Sequence, residues 1–239
     1  FIFMLFFKNH SYISFNLSDF TYSTDIIWDI IKVGLPASLS MIVMAVGQGV
    51  FNKILVHISV NTVAAYQVAG RLDMLVFLPI FSIAASLTTL VGMFYGAKEY
   101  GALRYIIKYG IFSALLITII SSTIVYTFAG HVVRFFTDDA SIVIIAVNFL
   151  QIFAFAYPFI AVGITTGRVL QGLGKGLPVL IITIVRVLGV SAPLALFFVF
   201  IMDKTVEWVW YSMMLSTIVA FGIGLTWLIS TLKTLPASK

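Results

Sequence analysis

Apolar runs of twenty or more residues recur along the whole chain, interrupted by short polar breaks. The runs cover about Asp29 to Val56, Asn61 to Tyr95, Leu103 to Ala129, Ser141 to Val169, Leu177 to Ile201 and Val206 to Leu232. Each is long enough, at about 1.5 Å per helical residue, to cross a hydrocarbon core of roughly 30 Å. The breaks, "HISVNT", "GAKEYGALR", "GHVVRFFTDDA", "QGLGKG" and "MDKTVE", carry the Gly, Asn, Asp and Lys expected where a helix ends in water. The pattern therefore predicts an all-α polytopic membrane protein, a six-transmembrane-helix bundle over residues 29–232 followed by a tail at 233–239. Ahead of it, "NHSYISFNLSDFTYST" is too polar to span, so residues 8–28 are expected to be a linker, and "FIFMLFF" at 1–7 the end of a preceding transmembrane helix. Thr24 and Asp25 are the expected N-cap of the first span, with Asp29 near its positive end. Asp138 and Asp139 take the same role after "RFFT".

Composition agrees with a membrane protein: 61% of residues are hydrophobic, 10% charged, and mean hydropathy is +1.12. With no cysteine, disulfides and thiolate metal sites are excluded. His10, His57 and His131 fall in connectors without metal-ligand spacing and are expected at the membrane interface. The net charge of +5 is better spent on topology than on nucleic acid, which is not expected as a partner. Lys8, Lys32, Lys98, Arg104, Lys108, Lys175, Lys233 and Lys239 lie on one side, against Lys53, Arg134 and Lys204 on the other. Eight against three puts both ends of the segment on the cytoplasmic side of the cell (inner or plasma) membrane.

Several polar residues interrupt the spans. In "AGRLDMLVFLP", Arg71 and Asp73 lie roughly 15 and 18 Å below the outer surface if the helix starts at Asn61. A charge at that depth costs at least about 2.5 to 3.5 kcal/mol on insertion scales, so neither should face lipid. Positions i and i+2 are about 200° apart around a helix, so the two cannot simply pair with each other. Asp73 is either a cavity carboxylate for a cationic substrate or a proton, or a structural partner between helices. Arg71 suits fixed hydrogen bonds, since it cannot lose its proton. Arg186, about nine residues into its span, is similar, and an Arg186 to Asp73 pair is geometrically open. Gln48, Asn52, Gln67 and Gln151 offer neutral hydrogen bonding, for substrate or between helices. Prolines 36, 79, 158 and 193 lie within the spans and are expected to bend them, for packing or as hinges. The aromatic residues, 22 Phe and 10 Tyr, with 8 Met, could line a pliant cavity or face lipid and other helices.

"KVGLPASLSMIVMAVGQGVFNKIL", "AAYQVAGRLDMLVFLPIFSIAASLTTLVGMFYGA", "RFFTDDASIV" and "LQGLGKGLPVLIITIVRVLGVSAPLALFF", in this order and spacing, resemble the second half of a multidrug and toxic compound extrusion (MATE) transporter. The resemblance implies one lobe, the C-terminal half, of a twelve-helix protein whose N-terminal six-helix lobe is its partner within the lipid bilayer. It implies a secondary active antiporter exporting small organic, often cationic, compounds in exchange for H⁺ or Na⁺ by alternating access, with no cofactor. One branch of the family has acidic residues where this chain has Met44 and Ile160. The wording is closer to the damage-inducible F (DinF-like) and archaeal type, in which an Asp of the first lobe carries the proton. The coupling-ion site is thus expected mainly in the N-terminal lobe. The transport-cavity candidates here are Asp73, Arg71, Gln48, Gln67 and Arg186.

A lipid-linked oligosaccharide or peptidoglycan-precursor flippase shares this helical plan, but it needs several cavity cations, and only Arg71, Arg168 and Arg186 qualify. An intramembrane enzyme would need a nucleophile with a base, or clustered His and carboxylates, and no span carries such a set. A channel's repeated carbonyl loop or charged ring is not visible either.

Overall fold

The computed structural model describes residues 22–236. The expected end of a preceding helix, most of the linker and the last three tail residues lie outside the described residues. The chain divides into two compact units, Phe1–Ile31 and Lys32–Lys239. Of the first, Tyr22 and Ser23 are followed by the opening turns of helix α1.

Among the described residues, six helices are long and apolar enough to cross a membrane: α1 Thr24–Ile58, α2 Val60–Gly96, α3 Tyr100–Arg134, α4 Ala140–Gly172, α5 Leu177–Ile201 and α6 Glu207–Lys233. They have 35, 37, 35, 33, 25 and 27 residues. At about 1.5 Å per residue all six exceed a hydrocarbon core of roughly 30 Å, the four longest by the most. That excess explains where the expected boundaries differ. A helix that leaves the bilayer keeps its own backbone hydrogen bonds, so it does not stop where its apolar run stops. α3 continues through His131 and Arg134, leaving only residues 135–139 of "GHVVRFFTDDA" as connector. α1 likewise starts at Thr24, inside the stretch assigned to the linker. Its first orphan donors are met by Ser23, whose Oγ accepts from the Ile26 N–H at 3.5 Å, and not by Thr24 or Asp25, which are already helical.

The other ends have identifiable stops. Ser59 alone separates α1 from α2, extended at φ −169°, with its Oγ accepting from the Thr62 N–H at 3.1 Å. α2 ends where Lys98 turns left-handed at φ 61° and the Glu99 N–H reaches the Phe94 carbonyl at 2.9 Å. Asp139 caps α4, accepting from the N–H groups of Ser141 and Ile142 at 2.8 and 3.3 Å. At the far end, Arg104 Nη2 donates to the carbonyls of Leu232 and Leu235, both at 3.2 Å, closing the last turn of α6.

α4 is the most enclosed of the six and packs against α2, α3 and α6. Around it lie two apolar clusters. One joins Ile54 and Leu55 of α1, Leu72 of α2, Phe149 and Tyr157 of α4 and Trp210 of α6. The other joins Leu87 and Val91 of α2, Leu103 and Ile107 of α3, Val169 of α4 and Leu228 of α6. Since successive helices run in opposite directions, these clusters occupy the two ends of the bundle.

Pro36, Pro79 and Pro158 sit inside α1, α2 and α4. The most altered helix is α5. Its backbone is π-helical at Val185–Ser191 and again at Phe197–Ile201, on either side of an α-helical Ala192–Leu196 that contains Pro193. Pro193 has no N–H to give and its ring crowds the carbonyl of the preceding turn, so a wider turn upstream accommodates both. This wider turn carries Arg186, Val187 and Ser191, three residues of the site described next.

Candidate substrate cavity

A cavity of about 170 Å³ lies between α1, α2, α4, α5 and α6 on the Asp73 level of the bundle. α2 contributes Tyr66 and Asp73, two turns apart on one flank. α1 contributes Met44, Gly47 and Gln48; the π-helical turn of α5 contributes Arg186, Val187 and Ser191. Ser216 and Thr217 of α6 complete the polar part of the wall. Their hydroxyls turn back to the Met213 carbonyl at 2.7 and 3.0 Å, as hydroxyls in transmembrane helices do when no other acceptor is near.

Asp73 accepts a hydrogen bond from the hydroxyl of Tyr157 on α4. Tyr157 is fully buried, its ring held edge-on against Phe77 at 5.4 Å and 87°. The ring cannot follow the carboxyl freely, so it fixes Asp73 in place. Next to this pair is a continuous aromatic wall. Phe149 stacks on Phe153 at 4.2 Å, meets Trp210 edge-on at 4.8 Å, and Trp210 in turn stacks on Tyr66 at 5.8 Å. A carboxyl beside π-faces is an arrangement that attracts an organic cation both by charge and by ring quadrupole.

The residues singled out from sequence part company here. Asp73, Gln48 and Arg186 are brought together on the cavity wall. Arg71 is exposed and does not line it, in keeping with the 200° that separates it from Asp73 around α2. Gln67 is also exposed, and its Nε2 donates to Asn52 Oδ1 at 3.4 Å. Arg186 and Asp73 share the cavity without pairing: Asp73 takes the Tyr157 hydroxyl, and Arg186 Nη2 points to Met44 Sδ at 2.8 Å. Tyr157, Tyr66 and Ser191 were not singled out from sequence. In an apolar run each reads like any other packing residue, and no spacing marks them.

A second, larger chamber of about 330 Å³ continues from the first along the bundle. Met44, Ile160, Arg186 and Thr217 line both and form the boundary between them. Met44 and Ile160, both uncharged, thus lie at this junction, and among the described residues the only charged group there is Arg186. Farther from it, Arg168 Nη1 donates to Gln171 Oε1 at 3.2 Å on the same wall.

The MatE family model matches residues 36–197. The chain is 28% identical over 167 residues to the probable multidrug resistance protein NorM of Thermotoga maritima, covering 70% of this chain and 36% of that protein. It is 27% identical over 176 residues to the multidrug export protein MepA of Staphylococcus aureus, covering 74% of this chain and 39% of that protein. Its fold matches a crystal structure of MATE in complex with MaL6 at a TM-score of 0.90 and 30% identity, covering 98% of this chain and 53% of that one. The chain therefore spans about half the length of the solved structure, and the matched part is under two fifths of each curated relative.

Proposed function

The chain belongs to the MatE family, whose members are transporters and not enzymes, and from this we propose that it forms one six-helix lobe of an exporter of small organic, often cationic, compounds. The other lobe is an N-terminal six-helix half of the same protein. The two rock about the midplane cavity, driven by exchange for H⁺ or Na⁺. In this proposal the segment sits in the plasma membrane with both ends cytoplasmic, an orientation that the eight-to-three distribution of basic residues supports.

One observation carries the substrate class: Asp73, held by Tyr157, faces a cavity whose neighbouring wall is aromatic. A cation with an apolar body gains from both. Arg71, exposed near mid-span, then faces the other lobe or the aqueous path between them, because lipid would not tolerate it. The coupling ion is assigned mainly to the other lobe, since Met44 and Ile160 supply no acid here.

The test is export of a fluorescent organic cation by cells producing the transporter. Asp73→Asn should lower export several-fold at unchanged membrane abundance, while the remaining export keeps its dependence on the ion gradient. Full export by Asp73→Asn would remove Asp73 from substrate binding and leave it a structural role only.

A further inference from the structure

The second chamber has a charge pattern opposite to that of an organic-cation site. Among the described residues, Arg168 and Arg186 are its only charged lining residues, and neither Asp nor Glu lines it. Neither guanidinium is matched by a carboxylate. Arg186 has five N–H donors, and its acceptor here is the thioether of Met44 at 2.8 Å, a weak one. Arg168 donates to the neutral Gln171 Oε1 at 3.2 Å. Arg168 is exposed, but Arg186 is half-buried, and a cation drawn out of water without a counter-charge is costly, so the inner end of the chamber is better satisfied with an anion in it.

Its shape adds the second half of the ligand. About 330 Å³ lies within the range of small-molecule sites. Apart from the two arginines, Phe81, Phe159, Phe221 and Ile182 dominate the walls. Gly163 helps keep the space open: a Cβ built there meets no atom within 4 Å. Depth orders the two cations. Arg168 is four residues from the end of α4, about 6 Å, whereas Arg186 is nine residues in from the start of α5, about 14 Å. Arg168 therefore stands near the mouth and Arg186 at the inner end.

We propose that this chamber binds an amphiphilic organic anion, its carboxylate, sulfonate or phosphate on Arg186 and its apolar body against Phe81, Phe159 and Phe221. The guanidinium fork suits two oxygens of such a group, while Arg168 draws the anion to the mouth. The site adjoins the place of a cation at Asp73 and shares Arg186 with it, and it stands or falls by binding, whether or not the lobe exports anything.

The experiment is equilibrium binding of radiolabelled dodecanoate to the purified transporter in phosphatidylcholine nanodiscs. Binding should be saturable and weakly displaced by dodecanol or dodecyltrimethylammonium, which have the same chain with no charge or the opposite one. Arg186→Gln should weaken it at least tenfold and Arg186→Lys less. Arg168→Gln should lower it by a smaller factor that shrinks further at high salt. Gly163→Leu keeps both charges, fills the chamber and should abolish binding. If Arg186→Gln fails to elute as a folded protein, Gly163→Leu and Arg168→Gln decide the matter. Adding phosphatidylglycerol to the nanodiscs separates the natural sources: displacement of dodecanoate identifies an anionic lipid headgroup, and its persistence a free amphiphile. Absence of saturable binding, equal displacement by the cationic analogue, or indifference to both Arg186→Gln and Gly163→Leu would overturn the proposal.

Discussion

Tyr157 of α4 donates its hydroxyl to Asp73 of α2, tying together residues 84 positions apart in the chain. Tyr157→Phe removes the donor and leaves the carboxyl at the cavity wall without it. Interhelical hydrogen bonds in membrane proteins are worth about 0.6 kcal/mol on average and up to about 1.7 kcal/mol, and this one sits toward the upper end because the acceptor is a carboxyl. Asp73→Asn keeps an acceptor oxygen in the same place and should cost less. We therefore expect Tyr157→Phe to lower the unfolding temperature in detergent more than Asp73→Asn does, with non-additive effects in the double variant. Additive losses would mean that the two side chains do not act as a pair.

Gly47 of α1 faces Val187 in the π-helical turn of α5, so closely that a Cβ at position 47 would overlap the valine Cγ1. Valine cannot swing that methyl aside, because two heavy atoms on its Cβ restrict χ1. Gly47→Ala should therefore destabilise by about 1–3 kcal/mol, the usual cost of overpacking. Val187→Ala removes the obstructing methyls, so Gly47→Ala/Val187→Ala should recover much of the loss despite the smaller side chain. Thermal unfolding of the three variants checks this, and a double variant no better than Gly47→Ala alone would exclude the contact as the cause.

The helices were legible in the sequence because hydropathy reports the solvent directly. Every apolar run long enough to span became a helix, and α5 kept its expected limits of Leu177 and Ile201. The opposite facing of Arg71 and Asp73 also followed from the sequence, since helical geometry alone separates residues two apart. Helix ends such as Arg134 were harder, because a helix outside the hydrocarbon core needs no apolar residue to continue. The site was only half legible. Asp73, Gln48 and Arg186 stood out as polar groups at a cost in lipid, whereas Tyr157 did not, because its buried ring and its hydroxyl are equally at home in an ordinary packed helix. Of the second chamber, the sequence marked only the two arginines, Arg168 and Arg186; its space exists because Gly163 lacks a side chain and because α4, α5 and α6 do not close on each other, facts of packing rather than of pattern.

Lys98 stops α2 in the left-handed region at φ 61°, although Gly96 stands two residues earlier. Such a conformation costs an L-residue roughly 1–2 kcal/mol, which glycine avoids. Lys98→Gly should raise the unfolding temperature, by an amount reflecting up to about 1 kcal/mol after the added freedom of the unfolded chain is offset. The substitution also removes one of the eight basic residues on its side, but seven against three should leave the orientation unchanged. Accessibility of a cysteine introduced at Ala237 to a membrane-impermeant reagent checks the second point.

Two glycines on the same helix should respond in opposite directions to one added methyl. At Gly172 the new Cβ would lie 2.7 Å from the Thr88 carbonyl oxygen and 3.0 Å from Val91 Cβ, so α2 and α4 could keep their separation only by shifting backbone. Gly172→Ala should therefore destabilise by about 1–3 kcal/mol. At Gly163, nine residues earlier, the Cβ enters open space. There alanine replaces a poor helix former by the best one, and Gly163→Ala should stabilise by up to about 1 kcal/mol. Unfolding temperatures of the two variants, measured side by side, are expected to fall on opposite sides of the parent protein. If both fall, the space beside Gly163 is closed in the assembled transporter, and the second chamber with it.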